Sequence, residues 1–133
     1  MKLKNMLIVV KDIERSKAFY RDLFGLVALA EFEGNVVLTE GLVLQEANIW
    51  ESCINKTVGF GTNNVELYFE ENDMDWFEKR LAQWSDPVKF VTPFSQNEWG
   101  QRLVRLYDPD GHMIEVRESM AAASRRNLDQ AEV

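Results

Sequence analysis

Two glutamates stand where alternating strands would carry them to one face. In Met113-Ile114-Glu115-Val116-Arg117 the apolar Ile114 and Val116 share one side of an extended chain, and Met113, Glu115 and Arg117 share the other. In Val65-Glu66-Leu67-Tyr68-Phe69 the same alternation sets Val65, Leu67 and Phe69 against Glu66 and Tyr68. With the apolar sides under helices, Glu66, Tyr68 and Glu115 project from the opposite face. Asn5 shares a face with Leu7 and Val9, and Gln45 with Val43. Asn5, Gln45, Glu66 and Glu115 are therefore expected to project into one concavity. Carboxylates held close together repel, which raises a pKa or recruits a cation, and either outcome supports chemistry. The structural alternative is that both glutamates reach solvent or pair with Arg102, Arg105 or Arg117.

The rest of the composition narrows that chemistry. His112 is the sole histidine and Cys53 the sole cysteine. Mechanisms that need two or three imidazoles are excluded, as are histidine-rich zinc sites and the two-histidine, one-carboxylate iron site. One cysteine forms no internal disulfide, which fits a reducing compartment, and the sequence is read as cytoplasmic. The first residues show no apolar stretch of signal-peptide length, and no apolar run approaches the roughly 20 residues of a membrane span. The net charge of -7 argues against nucleic acid or an anionic membrane as partner; it suits a cationic ligand and is also an ordinary aid to solubility.

The elements that must hold these residues repeat. Met6 to Val10 reads as a strand, Asp12 as an N-cap, Ile13 to Phe24 as a helix and Gly25 as its stop. Strands follow at about 27–33, 36–39 and 42–45, with turns at Gly34-Asn35 and Glu40-Gly41. The order then recurs: a strand at 65–69, a helix capped by Asn72 or Asp73 and carrying Met74, Phe77, Leu81 and Trp84, and strands at 88–92, 102–107 and 113–117. Asp108-Pro109-Asp110-Gly111 makes the last turn. The prediction is an α+β fold of two βαβββ modules forming a cupped, pseudo-twofold mixed sheet with helices outside. One domain spans 1–118, with modules at about 1–46 and 65–118, a connection at 47–64 and a tail at 119–133. The halves match at an offset of 61 at their first strands, Asn5 against Glu66, and 70 at their last, Gln45 against Glu115. Such a repeat implies a shared site at its axis. The connection holds Trp50, Cys53 and Phe60, so it is expected to pack; the tail reads as one short helix, a frayed end or a subunit contact. Trp76 and Trp84 read as core.

The stretch from Val10 to Leu26 and the stretch from Trp99 through Glu115 resemble the vicinal oxygen chelate superfamily, which includes glyoxalase I, fosfomycin-resistance thiol transferases, extradiol dioxygenases, methylmalonyl-CoA epimerase and bleomycin-resistance proteins. The carriers are Asp12, Ser16, Phe19, Tyr20 and Gly25 in the first, and Asp108-Pro109-Asp110-Gly111 with Glu115 in the second. The resemblance covers about residues 2–118. It implies metal ligands at Asn5, Gln45, Glu66 and Glu115. Glu115 matches the family's carboxylate, Gln45 is a variant, and Asn5 and Glu66 stand where histidine is usual. Two carboxylates and two amide oxygens suit Mg or Mn better than Zn, Ni or Fe. His112 alternates away from Glu115 and reads as structural.

Three functions are consistent with these residues. In the first, a glyoxalase/bleomycin-resistance-like protein sequesters a flat or cationic small molecule without a histidine-based metal site; Tyr68, Trp50, Phe94 and Trp99 wall the cleft and Glu66 and Glu115 give it negative potential. In the second, a glyoxalase I-like lyase or isomerase uses a divalent ion held by Glu115 and Gln45, with Glu66 as ligand or base; Glu66 and Glu115 are then the catalytic residues. The third is a non-catalytic interaction module. The resemblance also implies a homodimer.

Overall fold

The computed structural model describes residues 1–131, so residues 132–133 of the expected tail lie outside the described residues. The chain divides into two compact units, Met1–Phe60 and Gly61–Val133.

The first unit contains β1 (Met6–Val10), α1 (Ile13–Phe24), β2 (Ala28–Phe32), β3 (Asn35–Leu38), β4 (Leu42–Glu46) and α2 (Ala47–Ile54). Its four-stranded sheet runs β1-β4-β3-β2, with β1 parallel to β4 and the rest antiparallel. Asp12 caps α1 by accepting a hydrogen bond from the Arg15 amide at 3.1 Å. Gly25 ends it in the left-handed region, φ 69°, its amide donating back to the Arg21 carbonyl. Between these limits Phe19, Tyr20 and Leu23 are buried with Ile8, Val10, Val36, Leu38 and Leu44 of the sheet. The edge strand β2 leaves Leu29 and Phe32 largely exposed.

The second unit repeats the order with β5 (Glu66–Glu71), α3 (Met74–Gln83), β6 (Phe90–Gln96), β7 (Arg102–Tyr107) and β8 (Met113–Glu118), then adds α4 (Met120–Ala131). Its sheet runs β5-β8-β7-β6, with β5 parallel to β8. Asp73 rather than Asn72 is the N-cap of α3, accepting from the Trp76 amide at 3.0 Å. Met74, Phe77 and Leu81 are buried. The α+β class and the repeated strand–helix–three-strand order are those expected from the sequence.

Three local expectations are corrected. Residues 47–54, expected as part of a connection, form α2; the Glu46 carboxylate accepts from the Ile49 amide at 2.7 Å and Asn55 closes the helix in the left-handed region. The tail, by contrast, takes the first of its expected forms, a helix of 12 residues over its described part. β6 extends across Pro93 to Gln96; it is the sheet's edge strand, and its register shifts on either side of Thr92 accommodate a residue without an amide hydrogen. Trp76, expected in the core, is 44% exposed with the Arg80 guanidinium over its ring, because it lies off the Met74–Phe77–Leu81 stripe.

The offset of 70 between the last strands is also corrected. Met6 and Leu67 correspond across the units, and their partners in the parallel pairs are Leu42 and Ile114. Val43, not Gln45, is therefore the counterpart of Glu115. Pairing by residue type matched one polar side chain to another, whereas strand register decides which residues correspond.

Candidate functional site

The turn at Asp108–His112 sets the geometry of the second unit's sheet. The Asp108 side chain accepts from the amides of Asp110 and His112, each at 2.9 Å, and its other oxygen lies 2.8 Å from His112 Nδ1. The Asp108 amide donates to the His112 carbonyl at 2.9 Å. This clasp fixes the hairpin register at Tyr107 opposite Met113 and hence Arg105 opposite Glu115. Burial alone would lower the His112 pKa, but the hydrogen bond and charge of Asp108, with Asp110 nearby, hold it above the ordinary histidine value. His112 is therefore part of the turn, in line with its structural reading.

Arg102 shows which face of β7 looks towards α3, since its guanidinium pairs with Asp75 at 2.7 Å and Glu78 at 3.3 Å. Alternation puts Val104 and Leu106 on that same side and Leu103, Arg105 and Tyr107 on the other. Tyr68, Glu115 and Arg105 then form a row across β5, β8 and β7, with Thr92 of β6 opposite Arg105.

In that row Glu115 is almost completely buried, at 2% exposure. One of its carboxylate oxygens is 2.5 Å from Arg105 Nη2 and the other 3.0 Å from Arg117 Nη2. Arg105 reaches Glu66 as well, through Nε at 3.3 Å. The Arg117 guanidinium lies over the Tyr68 ring, 5.6 Å from its centroid, and Tyr68 is half exposed. Two polar atoms at this face, Arg117 Nε and Thr92 Oγ1, are buried without a hydrogen-bond partner. Two guanidiniums and two carboxylates thus form one balanced cluster, in which the buried anion is held from both sides.

The expected site residues are placed unit by unit. Glu66, Glu115 and Tyr68 share this face of the second unit. Phe94 does not: with Phe90, 6.3 Å away between ring centroids, it lines a groove of about 570 Å³ beside Leu81 and Trp84 of the α3 region. Trp99 is exposed in the turn after β6, its amide donating to Asn97 Oδ1. In the first unit Trp50 is half buried in α2, and Asn5 is exposed just before β1. Gln45 is buried in β4, where its side-chain carbonyl accepts from Asn35 Nδ2 at 2.8 Å. The first unit's row equivalent to Tyr68–Glu115–Arg105 is Leu7–Val43–Val37, which is apolar throughout.

A divalent ion does not fit these donors. Both oxygens of Glu115 are taken by guanidiniums, which would repel a cation at that position. The Gln45 carbonyl is committed to Asn35, and the counterpart of Glu115 is Val43. Among the described residues no group of three histidine, cysteine, aspartate or glutamate side chains is placed to hold a metal.

Arg105 and Arg117 are the functional candidates that attention to carboxylates understates. Arg117 shares the parity of Glu115 in the strand, and the five-residue turn between Tyr107 and Met113 fixes Arg105 opposite it. Thr92 has no such signal, because the bulges of β6 alter its alternation.

Known proteins agree with the fold. The sequence matches the glyoxalase-like domain over residues 3–121. It is 21% identical over 113 residues to the metallothiol transferase FosB of Lysinibacillus sphaericus, covering 85% of this chain and 79% of that protein. Among solved structures, a protein of unknown function from Agrobacterium tumefaciens is 38% identical with a TM-score of 0.73, over 90% of this chain and 94% of that one. A lactoylglutathione lyase from Agrobacterium tumefaciens is 24% identical with a TM-score of 0.67, over 90% of this chain and 95% of that one.

Proposed function

The chain belongs to the glyoxalase-like domain family, and from that premise we propose that it is a glyoxalase/bleomycin-resistance-like protein that binds a small molecule without a metal, on the face carrying Tyr68, Arg105, Glu115 and Arg117. The observation that carries the reading is the double capture of buried Glu115 by Arg105 and Arg117. Where a metal-dependent site needs a carboxylate free to coordinate, this carboxylate instead orders two planar donor groups. Each guanidinium has five N–H donors and spends only some of them on carboxylates, so both keep hydrogen-bonding capacity. Tyr68 offers a half-exposed ring on which a flat ligand can stack.

Glu115 here positions the arginines, and this supports simple binding over the metal-assisted lyase. The exposed thiol of Cys53 supports a reducing, cytoplasmic setting. Exposed Leu29 and Phe32 on edge strand β2 support a homodimer. Among the described residues no helix is long and apolar enough to cross a membrane.

A fragment screen followed by amide chemical shifts tests the reading. It predicts saturable shifts clustered at Tyr68, Arg105, Glu115 and Arg117. Hits confined to other surfaces, with this face silent, would contradict it.

A further inference from the structure

The geometry points to a planar carboxylate as the ligand class, with the arginine pair taking the ligand's oxygens in the place a cation would otherwise fill. This rests on the binding face proposed above and specifies what that face recognises.

Three features lead to it. Glu115 is buried and its pairings are short, so it is a fixed part of the protein that aims two guanidiniums. Glu66 is different: its side chain is 36% exposed and its contact with Arg105 Nε is long, 3.3 Å. An exposed pair of that kind is weak, so a ligand carboxylate can displace Glu66 and inherit Arg105. The third feature is unspent polar capacity. Arg117 Nε is buried without a partner, although its guanidinium already lies over Tyr68. Thr92 Oγ1, opposite Arg105 in the strand register, is likewise unpartnered. An unmet buried donor is costly, and a small rotation of Arg117 onto a ligand oxygen would relieve it. Tyr68 beside this cluster favours a ligand whose carboxylate is joined to a flat body. A cationic ligand finds the opposite arrangement, because the nearest carboxylates are already engaged by arginine.

Three probes of one shape and different charge separate the possibilities: benzoate, benzamide and benzamidine, each titrated into the protein and followed by amide shifts. Benzoate is expected to shift Tyr68, Arg105, Glu115 and Arg117 saturably and to bind more tightly than the other two. Glu66→Gln removes the competing carboxylate and should tighten benzoate roughly two- to fivefold. Arg117→Lys keeps the charge but loses the planar donor set and should weaken it by about threefold or more. Benzamide binding the same face as tightly as benzoate, or benzamidine binding it more tightly with a loss in Glu66→Gln, would overturn the anion assignment and leave the binding face standing. Silence of that face to all three probes would overturn both.

Discussion

At the scale of single residues, Glu115 shows how one side chain can be read for two opposite roles. From alternation alone it is a carboxylate on a strand face, equally suited to a metal or to an arginine. What decides is the identity of its neighbours, and the hairpin turn delivers Arg105 directly opposite. If the carboxylate is structural, Glu115→Gln should lower unfolding stability by about 2–3 kcal/mol in urea, since it leaves two guanidiniums without their buried anion. A carboxylate kept free for a metal would instead leave the metal-free protein unchanged or more stable when neutralised. His112 supplies a second residue-scale test. Its pKa is raised in the folded protein, so its stabilising contribution is complete below about pH 6.5 and is lost as pH rises through the folded value. Wild type should therefore lose stability relative to His112→Asn as pH rises from about 6.5 through the raised folded value. Equal pH dependence in the two proteins would show that the Asp108 pairing contributes nothing.

At the scale of elements, the sequence announces most of the structure through its punctuation. Asp12 and Gly25 bracket α1, Asp73 opens α3, and alternation marks β5, β7 and β8. The elements that escape are those whose signals are short or mixed. Helix α2 has eight residues, too few for a clear apolar period, and its cap is a glutamate rather than one of the usual short polar residues. Gly34 links it to the sheet: at φ 68° it makes the β2–β3 turn, and a Cβ there would meet the terminal methyl of Ile49 and lie 3.3 Å from Glu46 Cβ. Gly34→Ala should cost about 1–2 kcal/mol by strain at its positive φ, read from the denaturation midpoint. Helix α4 is tied to the second unit by Arg126, which bonds Glu118 at 2.7 Å and the Gly100 carbonyl at 2.7 Å. Burial opposes ionisation of Glu118, yet Arg126 and the Arg102 amide hold its pKa below the usual glutamate value. That contribution is present above about pH 4.3 and disappears as pH falls through the lower folded value. Arg126→Ala should speed amide exchange across 120–131 while leaving β7 and β8 protected; unchanged exchange in α4 would show that Arg126 is not what holds it.

At the scale of the whole molecule, repeated architecture does not mean repeated chemistry. Each unit has the strand order that a βαβββ module implies, yet the row that is Tyr68–Glu115–Arg105 in one is Leu7–Val43–Val37 in the other. The fold was legible because turns, caps and alternation are local. The site was less so, because it depends on register across strands distant in sequence, and one misaligned pair exchanged Val43 for Gln45. Calorimetric titration of chelator-stripped protein with Mg, Mn, Ni and Zn tests the central claim most directly. The account predicts no saturable binding of any ion at the Glu115 face, in wild type or in Glu115→Gln. One ion bound per chain, and lost in Glu115→Gln, would contradict it.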